Sequence, residues 1–213
     1  MKLLTEFVGS FLFMFAIALA ATSGSPMAPL AIGVALVAMV YMGGAISGAH
    51  YNPAVTIAVM MRGKIDAKDV GPYITAQLAG AVAAFFAGYY ATGKALRIAP
   101  GEGVQPGQAL LVEVLFTLML VLVILNVATV KRTSGNQYYG LAIGFTIVAA
   151  AFAGGGISGG AFNPAVGVGS TLVDAAVAGG SFANVWLYIV GPVLGAGLAA
   201  FLFKAQHTPD EQA

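Results

Sequence analysis

A nine-residue segment occurs twice in this chain, as SGAHYNPAV at 47–55 and SGGAFNPAV at 158–166, with six of the nine positions identical. Each copy follows an apolar stretch long enough to cross a bilayer. Each is followed by an apolar run of only about ten residues, too short to cross one. Asn followed by Pro marks a helix start, because Asn caps orphan amides and Pro at the first helical position has no amide to lose. Two helices therefore begin at Asn52-Pro53-Ala54 and Asn163-Pro164-Ala165. A chain built this way is an internally duplicated membrane protein whose halves bring matching elements to one place. If both short helices start inside the membrane, their positive ends face a common point.

Composition supports the membrane reading. Of 213 residues, 59% are hydrophobic and 8% charged, with a mean hydropathy of +0.91. Taking about 20 apolar residues per span, six spans are read at 4–22, 27–46, 71–91, 107–129, 138–154 and 183–203. The segments from Pro53 and Pro164 are re-entrant half-helices. With both termini on one side, that side holds Lys2, Arg62, Lys64, Lys68, Lys131, Arg132 and Lys204; the other holds Lys94 and Arg97. The imbalance predicts cytoplasmic termini. Lys2, the apolar run and Ala18-Leu19-Ala20 mimic a signal peptide, but Glu6 interrupts it and its removal would break the six-span count. A net charge of +1 argues against a nucleic-acid surface, and there is no cysteine, hence no disulfide or thiol chemistry.

The halves match beyond the tripeptide. Glu6 lies 46 residues before Asn52, and Glu113 lies 50 before Asn163. Gly71-Pro72 opens the third span and Gly191-Pro192 falls within the sixth. Each half has three spans and one half-helix, and three is odd, so the halves run in opposite senses across the membrane. The expected fold is an all-α membrane protein, one channel domain over 1–213, with inverted repeats at about 3–91 and 107–203. The many Gly in the spans read mostly as packing positions for close helices.

TEFVGSFLFMF in the first span, SGAHYNPAVT, QLAGA in the third span, GLAIGF in the fifth, SGGAFNPAV and YIVGPVLGA in the sixth together resemble the aquaporin, or major intrinsic protein, family. The resemblance covers about residues 3–203. It implies a right-handed bundle of six helices, one pore per subunit, and a homotetramer.

Irregular backbone inside a membrane must line a cavity or be buried in protein. Gly48, Ala49, His50 and Tyr51, and Gly159, Gly160, Ala161 and Phe162, fit that description. Their carbonyls can form a ladder of acceptors, with the Asn52 and Asn163 amides as central donors. Each Asn is expected both to cap its helix through the carboxamide oxygen and to present its NH2 to the pore. Two half-helix N-termini at the midplane repel cations, hydronium included. Glu6 and Glu113 are ionisable residues within spans, functional candidates by default. The resemblance implies that they accept hydrogen bonds from the re-entrant segments; a proton relay is the alternative. It also gives His50 a lining role on the cytoplasmic side. His207, in a polar tail, reads as solvated.

By the same resemblance, the selectivity ring falls on Ile32, Ala151, Gly160 and Val166. Many family members place an Arg where this chain has Val166; water-selective members have an aromatic residue and His at the first two positions, and glycerol-conducting members usually keep the Arg and an aromatic wall, none of which this chain has. Val after the second tripeptide also occurs in the plant vacuolar-membrane branch, which implies water together with urea-like or peroxide-like solutes. Loss of a guanidinium removes a fixed charge and a strong donor set. The ring should be wider and less polar, although an apolar ring can also dewet.

The functional reading is a passive channel for water and small neutral solutes (urea, ammonia, glycerol, peroxide) in a plasma or inner membrane, excluding ions and protons. It needs no cofactor or metal. Two other classes stand beside it. A secondary transporter also uses inverted repeats, but no coupling-ion constellation accompanies the two separated Glu. A structural membrane protein with a closed pore would show no flux above bare lipid. An enzyme has no support, because no nucleophile–base pair or metal-ligand cluster is present.

Overall fold

The computed structural model describes residues 1–208. Six helices are long and apolar enough to cross a membrane: α1 (Lys2–Thr22), α2 (Ala28–Ser47), α4 (Ala67–Thr92), α5 (Pro106–Ala128), α6 (Tyr139–Ser158) and α8 (Leu187–Gln206). Two shorter helices, α3 (Pro53–Met61) and α7 (Pro164–Ala178), follow the repeated segments. A single 3-10 turn, Lys131–Thr133, lies between α5 and α6. No strand occurs among the described residues.

Several boundaries differ from the sequence expectation, among them the end of the fifth crossing helix, which runs to Ser158 rather than 154. The third crossing helix starts at Ala67, so Pro72 lies inside it rather than opening it. Pro72 is the sixth residue of the helix, past the first turn, so it forfeits the bond that an amide there would make to the Lys68 carbonyl. The sixth starts at Leu187, after a turn at 183–186, instead of at 183. The second short helix has 15 residues rather than about ten, because its apolar stripe continues through Val173 into the buried Asp174.

The helices pack in matched pairs, α1 on α4 and α5 on α8, while α2 crosses α6. Glycine makes these crossings close. A Cβ at Gly80 would run into the Phe7 carbonyl, and one at Gly195 into the Val114 carbonyl. At the α2–α6 crossing, Gly33 lies against Val148 and Gly144 against Val37. Phe7 follows Glu6 and Val114 follows Glu113, so the two halves make the same contact at matching places. The register of these contacts corrects the Gly-Pro matching read from sequence. Tyr73 pairs with Tyr188 and Gly80 with Gly195, so Gln77, not Pro72, occupies the place that Pro192 holds in the second half.

Large apolar side chains point outward all along the crossing helices, among them Leu12, Phe86, Leu115, Phe145, Leu198 and Phe201. Outside a bilayer such an apolar surface would be an aggregation hazard; inside one it is the lipid-facing wall. The chain is a multi-pass membrane protein.

The tail residue His207 departs from expectation. It is 9% exposed, its Nδ1 lies 3.0 Å from the Phe203 carbonyl, and its ring stacks on Phe203 at 4.2 Å between centroids. The last turn of α8 folds it back onto its own helix rather than into solvent.

Candidate functional site

Each crossing helix that precedes a repeat ends in a left-handed glycine, Gly48 at φ +91° and Gly159 at φ +94°. The chain then keeps turning the same way. Ala49, Tyr51 and Phe162 have φ of 51°, 48° and 50°, and Gly160 has 70°. Left-handed non-glycine residues cost on the order of 1–3 kcal/mol each and persist only where the surroundings over-determine them.

The two buried carboxylates do the over-determining. Glu6, fully buried, accepts from the Ser47 hydroxyl at 2.6 Å and from the His50 and Tyr51 amides at 3.0 and 2.8 Å. Glu113, also fully buried, accepts from Ser158 at 2.7 Å and from the Ala161 and Phe162 amides at 3.0 and 2.7 Å. Hydrogen bonds to a charged group contribute about 1.5–3 kcal/mol each, enough to hold both segments in their unfavourable backbone region. The Ser47 and Ser158 hydroxyls in turn accept the Ala49 and Gly160 amides at 3.1 Å.

With those amides engaged, the segments show their carbonyls. Those of Gly48, Ala49, His50, Gly159, Gly160 and Ala161 accept no protein hydrogen bond among the described residues. Asn52 caps α3 by accepting the Ala54 amide at 2.9 Å, and Asn163 caps α7 by accepting the Ala165 amide at 2.9 Å. Their NH2 groups reach across to the opposite half. Asn52 Nδ2 donates to the Phe162 carbonyl at 3.0 Å, and Asn163 Nδ2 to the Tyr51 carbonyl at 2.9 Å. The expected capping role is present. The NH2 geometry is more constrained than expected, because one N–H of each Asn ties the halves together and only the second remains for anything else.

These residues meet in one cavity of about 1390 Å³. At the end near the termini it reaches Lys2, Lys64, Asp66 and Lys131; at its other end it reaches Ile32, Ala151, Gly160 and Val166. All four ring positions thus face one space, together with Gly48, Ala49, His50, Tyr51, Asn52, Ala161, Phe162 and Asn163. Gly159 does not line it. Its α-carbon faces Ile98 and Ala99 of the loop between α4 and α5. Pro53, Ala54, Pro164 and Ala165 lie behind the lining as buried helix starts.

Several lining residues escaped the sequence reading. Phe13 and Ile17 lie on the face of α1 that carries Glu6, and Leu120 and Ile124 hold the matching places after Glu113. Their helical spacing from each Glu was a usable signal. A second omission is a polar cluster in the first half. Gln77 Nε2 donates to Glu6 at 2.8 Å and to the Thr56 hydroxyl at 2.9 Å, and that hydroxyl lies 3.0 Å from His50 Nδ1. The Thr56 hydroxyl also lies 3.2 Å from the Asn52 carbonyl. One hydroxyl has one proton, so Thr56 gives it either to the Asn52 carbonyl, with His50 Nδ1 then the donor to Thr56, or to His50 Nδ1 itself.

The comparisons agree with this construction. The family model described as "Major intrinsic protein" matches residues 1–203. The "Glycerol uptake facilitator protein-like 6" of Lactiplantibacillus plantarum is 36% identical over 98% of this chain and 99% of its own length. "Aquaporin AqpM" of Methanothermobacter thermautotrophicus is 37% identical over 82% of this chain and 74% of its own. Among solved structures, the "aquaglyceroporin from Plasmodium falciparum" superposes with a TM-score of 0.84 at 24% identity, covering 95% of this chain and 94% of that one. The chain belongs to the major intrinsic protein family, whose members are passive channels for water or small solutes and not enzymes.

Proposed function

We propose that residues 1–213 form one channel domain of two inverted repeats that passes water and small neutral solutes, such as urea, ammonia, glycerol or hydrogen peroxide, and rejects ions and protons. The observation that carries this reading is the reciprocal pair of bonds from Asn52 to the Phe162 carbonyl and from Asn163 to the Tyr51 carbonyl, inside the one cavity. They set two half-helix N-termini against each other at one point. The remaining N–H of each Asn is a donor for a passing oxygen.

On either side of that point the lining offers carbonyl acceptors. A water or small polar solute exchanges its hydrogen bonds stepwise along them, with little net desolvation. At the centre the sign reverses. Two positive helix ends disfavour a cation, and donors that hold the water oxygen leave it no acceptor role in a proton wire.

The ring of Ile32, Ala151, Gly160 and Val166 contains no side-chain polar atom. The Gly160 amide is spent on Ser158, which leaves its carbonyl as an acceptor. Such a ring has no positive charge and no strong donor, so it admits solutes larger than water and relies on the centre for ion rejection. Glu6 and Glu113 act as fixed holders of the segments rather than as a relay: each spends its oxygens on hydroxyl and amide donors that anchor the loops. The relative named for glycerol uptake supports passage of a solute larger than water. The excess of Lys and Arg on the side of the termini supports cytoplasmic termini in a plasma or inner membrane, and homotetramers are the assembly proposed here.

Stopped-flow light scattering on reconstituted vesicles tests the reading. Water, urea, glycerol and ammonia should equilibrate faster than through bare lipid, without saturation and without dependence on an ion gradient. Passage of water alone would remove the broad-solute part of the proposal; saturable flux driven by an ion gradient would replace the channel with a transporter.

A further inference from the structure

The loop between α4 and α5 lies on the face opposite the termini and carries Arg97. Its Nε donates to Asp174 Oδ2 at 2.8 Å and its Nη2 to Oδ1 at 3.3 Å. Asp174 is buried, with 7% of its side chain exposed, while the Arg97 side chain is 61% exposed. Asp174 lies on α7, the helix whose first turn carries Val166. The residues after Arg97 run over the other ring segment. A Cβ at Gly159 would stand 2.8 Å from both the Ala99 carbonyl and Ile98 Cγ2. The Gly101 amide donates to the Ile157 carbonyl at 2.9 Å. One loop thus touches the segment that positions Gly160 and, through a forked ion pair, the helix that positions Val166.

We propose that the Arg97–Asp174 pair is a positioning device for the selectivity ring: it clamps loop 97–101 between α7 and the 156–159 segment and so sets the separation of Gly160 from Val166. The inference rests on the channel reading above. The ring cannot hold this spacing by itself. Ile32, Ala151 and Val166 have no polar side-chain atoms, and the Gly160 amide bonds within its own segment. A guanidinium–carboxylate fork fixes direction as well as distance, which a single ammonium contact does not. In the first half the short helix α3 is tied instead by Arg62, whose Nε donates to the Thr129 hydroxyl at 3.3 Å and whose Nη2 donates to the Thr129 carbonyl at 3.2 Å. The place of Asp174 is taken there by Gly63, which has open space around its α-carbon. The fork onto a buried carboxylate of the short helix lies in the half that carries Gly160 and Val166.

Arg97→Gln and Asp174→Asn, reconstituted beside the wild type, test this by the ratio of urea to water permeability, with thermal stability measured on the same preparations. A loosened ring should raise the ratio by about threefold or more while water flux stays above bare lipid. Arg97→Lys keeps the charge without the fork and should fall between wild type and Arg97→Gln; it also serves if the neutral variants fail to fold. A purely structural pair would lower the melting temperature and leave the ratio where it was, and that result overturns the proposal. A wild type that conducts nothing overturns the channel reading and this inference with it. A conducting wild type whose ratio is unmoved in all three variants overturns this inference alone.

Discussion

The two halves of the molecule share a scaffold and differ in what they hang on it. Glu6 and Glu113 each take one serine hydroxyl and two consecutive backbone amides, at distances that agree within about 0.1 Å. Tyr73 and Tyr188 each donate to the carbonyl of that serine, at 2.9 and 2.7 Å. Around this shared frame the first half adds His50, Thr56 and Gln77, while the second has Ala161, Gly167 and Pro192 in the same places. The aromatic filling is exchanged too. Tyr51 packs into the space left by Gly9 and Gly43, whereas Phe162 packs against Phe116, which lies over Gly154. Backbone geometry was held fixed through duplication, because moving a carboxylate would orphan three or four buried donors. Side chains that only decorate the path were free to diverge. On the side of the termini, His50 adds a polar side chain to the carbonyls, with Thr56 and Gln77 buried behind it; the other side has carbonyls and an apolar ring.

The largest effects should come from breaking the shared frame. Glu113→Ala leaves a buried hydroxyl and two amides unpaired; Glu6→Ala leaves their counterparts and one N–H of Gln77, whose other N–H keeps Thr56. Leaving buried donors unpaired costs about 1–3 kcal/mol per group, so both variants should lose most of their thermal stability and flux, with Glu6→Ala the worse of the two. Equal melting temperatures for Glu6→Ala and wild type would show that the frame is not what holds the segments.

Next in size is the ring. Val166→Arg introduces a charge and a donor fork where the wild type has neither. Urea and glycerol permeability should fall by about tenfold and water permeability by much less. A loss of water flux equal to the loss of urea flux would mean that the ring was never the size-selective step.

The first-half cluster should matter less. Thr56→Val removes the hydroxyl that joins Gln77 to His50, and the loss should be about 1–2 kcal/mol of stability, read by thermal unfolding, with solute selectivity unchanged. His50→Ala makes the first half resemble the second at Ala161. We expect the smallest change there, with water permeability within about twofold of wild type because the neighbouring carbonyls remain. A large change in selectivity from either variant would move the selective step to the side of the termini.

How far the sequence could be read follows the same division. The features that recur, Asn52 with Asn163 and Glu6 with Glu113, were legible because repetition at matched spacing is hard to produce by chance. Features present once were not. Arg97 and Asp174 are 77 residues apart, and nothing in local pattern links a loop cation to an acid near the end of a short helix. Gln77 was missed for a subtler reason. The Gly-Pro pairs at 71–72 and 191–192 suggested one alignment of α4 with α8, whereas the contacts of Tyr73, Tyr188, Gly80 and Gly195 impose another. The extra length of α7 was hidden because Asp174 ends its apolar run, although packing against α4 and α8 carries the helix past that buried carboxylate to Ala178. His207 was misjudged because polarity of the neighbouring sequence says nothing about an aromatic ring, Phe203, one turn earlier.

The central claim is that the halves are joined at one point of one pore by two reciprocal bonds. Osmotic water permeability of vesicles holding wild type, Asn52→Ala or Asn163→Ala tests it most directly. Each bond spans both halves, and each substitution removes one cap, one cross-link and one central donor. The account predicts wild-type flux well above bare lipid and a comparable, large fall in both variants. Wild-type flux at the lipid level, or one variant conducting like wild type while the other fails, would contradict it.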